Sequence, residues 1–155
     1  MTTRRVSANS GVTLIEMLIV VMIIGVIAGV SLPALTSGLA SVRLSSASGS
    51  VASFLTSSMN RVERREQAAA IVISPAKSLL AVYTSESGEK PDREFHLPQG
   101  VTIEGDEPRR FLLMPGGTAP RVTLVLRNEK GSRRSVQIDP VTGVPDIRRV
   151  DGQAR

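Results

Sequence analysis

Residues 11–30 read GVTLIEMLIVVMIIGVIAGV, an apolar stretch that contains a single carboxylate, Glu16. From Met17 to Leu35 there are 19 residues without a charge. At about 1.5 Å per residue, a helix of that length matches a bilayer hydrocarbon core roughly 30 Å thick. A carboxylate beside such a span is costly unless it has a partner or a use. We therefore predict a transmembrane helix over residues 12–35, in which Glu16 needs an explanation.

The first eleven residues, MTTRRVSANSG, form a polar leader whose only charges are Arg4 and Arg5. Positive residues before an apolar span are expected to stay in the cytoplasm. The predicted topology is therefore a single pass, with the leader inside and the rest of the chain outside. The formal charge of the chain is +5, so a product that starts at Val12 would be nearer +3. This mild excess permits anionic partners, such as nucleic acid or lipid head groups, without requiring them.

The composition excludes several classes of site. The chain has no cysteine, which excludes disulfides and thiolate metal sites. It has three Phe, one Tyr and no Trp. Because bases stack on aromatic side chains, this scarcity disfavours a dedicated reader of single-stranded nucleic acid.

Three explanations compete for the apolar segment. A secretory signal would be cut after its apolar run, and Gly29-Val30-Ser31 is a poor cleavage site of that kind. A plain membrane anchor has no use for Glu16 or for the small residue before the run. The third explanation is cleavage on the cytoplasmic side, between Gly11 and Val12, which leaves the apolar helix on the mature protein.

The third explanation matches a known pattern. Ser10-Gly11 followed by Val12-Thr13-Leu14-Ile15-Glu16 resembles the class III signal of type IV pilins and type II secretion pseudopilins. In that family a prepilin peptidase cuts after the Gly and methylates the new amine. The resemblance implies cleavage between Gly11 and Val12 and N-methylation of Val12, although the usual first mature residue is Phe.

Cleavage would give Glu16 a partner. The new amine at Val12 is positive, and a carboxylate four residues along can neutralise it or the amine of an adjacent subunit. Because an unpaired charge is penalised in a dry environment, such a pair would fix the register of packed helices. The alternative is that Glu16 is merely solvated at head-group depth. At the other end of the run Pro33 removes a helix hydrogen bond, so we predict a kink there, where the family also carries a proline.

Residues 36–69 keep a helical period and are predicted to form the periplasmic half of one long kinked helix, from about Thr13 to about Gln67. A flexible stalk is the alternative, because Ser and Gly are frequent between 36 and 53. The apolar stripe that would be buried comprises Leu35, Leu39, Val42, Val51, Leu55, Met59 and Val62.

From residue 70 to 155 the pattern changes to short β-type runs separated by turn residues. One helix followed only by strands predicts an α+β fold, with an antiparallel sheet packed on the helix. The candidate strands are Ala70–Ser74, Leu79–Thr84, Arg93–Leu97, Val101–Glu104, Arg110–Met114, Arg121–Arg127, Ser135–Asp139 and Val144–Arg148.

This order resembles the H-type pseudopilins of type II secretion and the related FimT-type minor pilins, whose members often end with a Thr-Gly turn between two short strands. Asp139–Val144 resembles that turn. The resemblance implies a structural minor pseudopilin in the periplasmic pseudopilus, held in the bacterial inner membrane. Its partners would be prepilin peptidase, other pseudopilins and membrane lipid.

We find no sign of an enzyme and predict no catalytic residue, cofactor or metal. His96, the only histidine, is expected to be a strand residue, and Pro115-Gly116-Gly117 is expected to be a turn, because no Lys-Ser/Thr follows it.

The basic residues of the C-terminal region carry the alternative function, a FimT-type minor pilin in pilus biogenesis or DNA uptake. FimT-type pilins often place an Arg directly after the final Gly. Here Val144 holds that position and the pair Arg148-Arg149 comes later. Arg148 and Arg149 are candidate nucleic-acid contacts, but solvated charges on exposed strands are the favoured interpretation.

Overall fold

The computed structural model describes the backbone of residues 12–150 and the side chains of residues 12–29 and 38–150. Gly11 and the leader lie outside the described residues. The chain divides into two compact units, one up to Ser37 and one from Gly38 onwards. A single helix, α1 (Leu14–Arg65), contributes to both units.

In the first unit, every residue from 12 to 29 is exposed. Pro33 lies inside α1, and the helical backbone continues through it. Its side chain lies outside the described residues, so the kink stays a prediction. Within the described part of the chain, no helix is both long enough and apolar enough to cross a bilayer.

In the second unit, α1 is followed by strands that pair only in the antiparallel sense. They form two four-stranded sheets, a first sheet of order β3-β2-β1-β5 and a second of order β4-β6-β7-β8. The strands are β1 (Ala69–Ser74), β2 (Leu79–Thr84), β3 (Arg93–His96), β4 (Val101–Ile103), β5 (Arg109–Leu113), β6 (Thr123–Asn128), β7 (Arg133–Ile138) and β8 (Pro145–Val150). The predicted α+β fold is confirmed, and each predicted strand lies within two residues of an observed one.

One face of each sheet packs with α1 into a common hydrophobic core. In β1, Ile71 and Ile73 are fully buried, and they alternate with the partly buried Val72 and Ser74. In the second sheet, Leu124, Leu126 and Val136 are also fully buried. The two sheets and the part of α1 from Gly38 onwards therefore form a single folded unit.

The predicted buried stripe of α1 is wrong at its start. Leu39 and Val42 are 57% and 65% exposed, and burial begins at Leu44, which is 2% exposed. At about 100° per residue, Val42 lies on nearly the opposite side of the helix from Leu44. The buried face instead continues through the small residues Ala47 and Ser48, which the predicted stripe does not include. The side chain of Leu35 lies outside the described residues.

Candidate functional site

Thr13 starts α1 as its N-cap. The Oγ1 atom of Thr13 accepts a hydrogen bond from the backbone N–H of Glu16 at 3.3 Å, and its carbonyl accepts one from Met17 at 3.3 Å. A Thr followed three residues later by Glu is the spacing of a capping box. This role of Thr13 was not predicted from the sequence, although the Thr-x-x-Glu pattern signals it.

Glu16 lies in the first turn of α1, where the helix dipole favours a negative charge. It is exposed, and its carboxylate makes no hydrogen bond or ion pair with another described residue. Val12, two residues before the helix, is 61% exposed at the same end. The arrangement leaves the Glu16 carboxylate available for an amine, so the pairing stays a prediction.

The apolar side chains of residues 12–29 cover every side of their helix. Thirteen large apolar residues lie in this stretch, and their exposure ranges from 45% at Val20 to 88% at Leu14. A helix that is apolar all round belongs in an apolar environment. Within the described part of the chain, residues 12–29 therefore present an exposed apolar surface.

The strand register separates Arg148 from Arg149. Residues opposite each other in neighbouring strands share a face. Arg148 lies opposite Ser135, and Arg149 lies opposite Arg134, which in turn lies opposite the buried Leu126. Arg148 and Arg149 therefore lie on opposite faces of the second sheet.

The outward face of the second sheet holds three arginines, Arg127, Arg133 and Arg148, which we call the basic face. Arg127 lies directly opposite Arg133. Two carboxylates pair with this set: Arg133 lies 3.5 Å from Glu104, and Arg148 lies 2.6 Å from Asp146. Three guanidinium groups and two carboxylates leave one net positive charge, so the face is a weaker anion site than its arginines suggest.

The other candidate residues have structural surroundings. His96 ends β3 and lies 3.5 Å from the carboxylate of Glu94. The N–H of Gly117 donates to the carbonyl of Met114 at 3.1 Å, which makes Pro115–Gly117 the predicted turn. Across the described ranges, no group of three or more His, Cys, Asp or Glu is placed to hold a metal ion.

Comparison with known proteins finds one family model that matches the N-terminal segment. Residues 6–32 match the model of the family described as Prokaryotic N-terminal methylation motif. Neither the curated proteins nor the solved structures gave a match. The motif implies processing by prepilin peptidase and assembly with other pilins, and its family is structural rather than enzymatic. The chain thus carries the N-terminal methylation motif and is consistent with a type IV pilin-like prepilin.

Proposed function

We propose that the chain is a minor pseudopilin of a type II secretion system. Prepilin peptidase cleaves it after Gly11 and methylates Val12, and residues 12–35 anchor it in the inner membrane. The folded unit from Gly38 onwards then lies in the periplasm. The mature protein joins the pseudopilus through its apolar helix and acts in assembly rather than catalysis.

The observation that carries this proposal is the methylation motif at residues 6–32 combined with the exposure of every residue from 12 to 29 in the first part of α1. A methylated, charge-paired N-terminus has a use only if the apolar helix persists after processing. The exposed surface of residues 12–29 then becomes the contact with lipid before assembly and with other subunits after it. Assignment to type II secretion rests on the resemblance of the helix and strand order.

The N-terminus of the mature protein tests processing. Mass spectrometry of the chain produced with its prepilin peptidase should find a first residue Val12 bearing one added methyl group. The Gly11→Val variant should stay uncut, because a bulky residue replaces the small one at the cleavage site. A wild-type protein that still begins before Gly11 would overturn the proposal.

Glu16 tests assembly separately from processing. We expect Glu16→Gln to be cleaved and methylated normally but to enter the fibre poorly, because the mature amine loses its counter-charge. Glu16→Asp keeps the charge and should retain part of the incorporation. Cross-linking of the variants to neighbouring subunits measures this, and normal assembly of Glu16→Gln would remove the pairing argument.

A FimT-type pilin that binds DNA is the second candidate, and the basic face is the observation that favours it. Because Arg148 and Arg149 lie on opposite faces of the second sheet, their single variants are a matched pair. If double-stranded DNA lies on the basic face, Arg148→Ala should weaken binding and reduce its salt dependence, while Arg149→Ala should not. Binding that is absent, or equally sensitive to both, excludes this mode.

A further inference from the structure

A groove of about 500 Å³ opens on the second unit between α1, the loop after β5 and the turn before β8. We call it the helix–loop groove. It is defined by Met59 and Glu63 of α1, Met114 and Ala119 of the loop, and Val141 and Thr142 of the turn. Neither the methylation motif nor the basic face accounts for it.

Hydrogen bonds hold the walls of the groove in place. The Oε2 atom of Glu63 accepts the N–H of Gly116 at 3.0 Å, which ties the helix to the loop. The Oδ1 atom of Asp139 accepts the N–H groups of Val141 at 2.8 Å and Thr142 at 2.9 Å, which fixes the turn. Because the walls are ordered before anything binds, a ligand would meet a low reorganisation cost.

The walls expose apolar side chains that their own chain does not cover. Val141 is 91% exposed and Met114 is 56% exposed, whereas Met59 is half-buried against the core. Exposed apolar surface with a polar rim is typical of binding sites. Methionine side chains adapt to the shape of a partner, so the walls suit an apolar side chain rather than a rigid small molecule.

The charge of the groove indicates the class of partner that it would bind. Among the described residues that line the groove, Glu63 is the one with an ionisable side chain, in a chain with a net charge of +5. A carboxylate has more acceptor sites than the single bond to Gly116 uses. We infer that the helix–loop groove binds an extended segment of another protein in which an apolar side chain adjoins Lys or Arg. The inference goes beyond fibre assembly and does not depend on cleavage after Gly11.

Two matched peptides test the inference on the full chain held in neutral phosphatidylcholine nanodiscs. The probe GSLRLKSG should shift the ¹³C-methyl NMR signals of Met59 and Met114, and the acidic counterpart GSLELESG should not. Met17 and Met22 lie in the apolar helix and should stay unchanged with either peptide. Empty nanodiscs give the background for binding to lipid.

Three variants locate the binding. Glu63→Gln keeps an acceptor for the N–H of Gly116 but removes the charge, so binding should weaken about threefold. Met114→Ser removes apolar contact, and we expect a loss of about tenfold. Glu89→Gln, an exposed acid outside the groove, should bind like wild type.

Four outcomes would overturn the inference. They are no shift at saturating probe, equal binding of the acidic peptide, an effect of Glu89→Gln as large as that of Glu63→Gln, and shifts of Met59 and Met114 that follow protein concentration without peptide. The last of these would assign the groove to a second copy of the chain.

Discussion

The two parts of α1 have the same secondary structure and opposite surroundings. Residues 12–29 are exposed throughout, whereas Leu44, Val51, Leu55 and Val62 are each at most 6% exposed. The first part places apolar side chains on all sides. From Leu44 onwards, the second places its large apolar side chains on one side, with most of the charged side chains on the other.

This difference indicates which residues of α1 stabilise the folded unit and which do not. The one-sided part of α1 finds its apolar partner in its own sheets, so its residues stabilise the fold. The first part finds none among the described residues, and its apolar side chains stay exposed. Substitutions in the two parts should therefore affect different measurements.

The largest expected effect is at Leu55, which is fully buried between the helix and the sheets. Leu55→Ala removes apolar contacts and leaves a cavity, and it should lower the free energy of unfolding by about 2–5 kcal/mol. Urea unfolding of the full chain in detergent, followed by amide signals of the sheets, measures the change.

Leu18→Ala is the matched control, because Leu18 is 61% exposed in the first part of α1. It should change the free energy of unfolding of the C-terminal unit by less than about 0.5 kcal/mol. A loss similar to that of Leu55→Ala would contradict the separation of the two parts.

A smaller effect is expected at Ser48, which has no exposed surface and whose Oγ donates to the carbonyl of Leu44 at 2.7 Å. Ser48→Leu inserts extra carbon atoms into a packed interface and should cost about 1–3 kcal/mol of unfolding free energy. Ser50 is exposed two residues later, and Ser50→Leu should cost almost nothing. Equal unfolding midpoints for the two variants would show that Ser48 is not part of the packed face.

Much of this architecture is predictable from sequence because local patterns determine it. Apolar and polar residues alternate in β6 and β7, and turn residues such as Pro115–Gly117 separate the strands. These patterns predicted the strand bounds to within two residues of the observed ones. The division into two sheets was not predictable, because strand order depends on contacts between distant residues. The start of the buried stripe was also wrong, because the buried face runs through the small residues Ala47 and Ser48, and hydropathy does not mark a serine as buried.

The candidate site residues likewise differ in whether a local sequence pattern predicts them. Gly11, Val12 and Glu16 came from a motif in consecutive residues, and the family match covers that segment. The separation of Arg148 from Arg149 needs the strand register, since it depends on which face each side chain takes. The helix–loop groove joins Met59 to Met114 and Val141, which are far apart in sequence, so no local pattern indicates it.

A local effect is expected at Thr13, which caps the first part of α1. Thr13→Ala removes the acceptor for the N–H of Glu16 and should cost about 1 kcal/mol at the helix start. Amide hydrogen exchange at Glu16 and Met17 should become about fivefold faster, while the unfolding of the C-terminal unit stays unchanged. Thr13→Ser keeps the hydroxyl and should exchange like wild type. Unchanged exchange in Thr13→Ala would show that the cap does not hold this end.

The smallest effect is expected at Asp139, whose side chain orders the turn before β8. This turn is exposed, as the first part of α1 is, but hydrogen bonds to Asp139 hold it in place. The backbone N–H groups of Thr142 and then Val141 lower the pKa of Asp139 below its usual 3.8. Because the pKa of Asp139 is lower in the folded state, its ionised carboxylate stabilises the fold at pH values above the pKa of the unfolded state. This stabilisation is lost as the pH falls through the pKa of the folded state. Amide exchange at Val141 and Thr142 should therefore accelerate below about pH 4.

The matched variant for this turn is Asp139→Asn, whose side-chain oxygen still accepts hydrogen bonds but does not titrate over this range. Its exchange at Val141 and Thr142 should show no acid-dependent acceleration beyond the intrinsic pH dependence of exchange. A wild-type profile identical to that of Asp139→Asn would mean that the ionised carboxylate does not order the turn. Since Val141 and Thr142 line the helix–loop groove, such a result would also weaken the argument that this wall is ordered before a ligand binds.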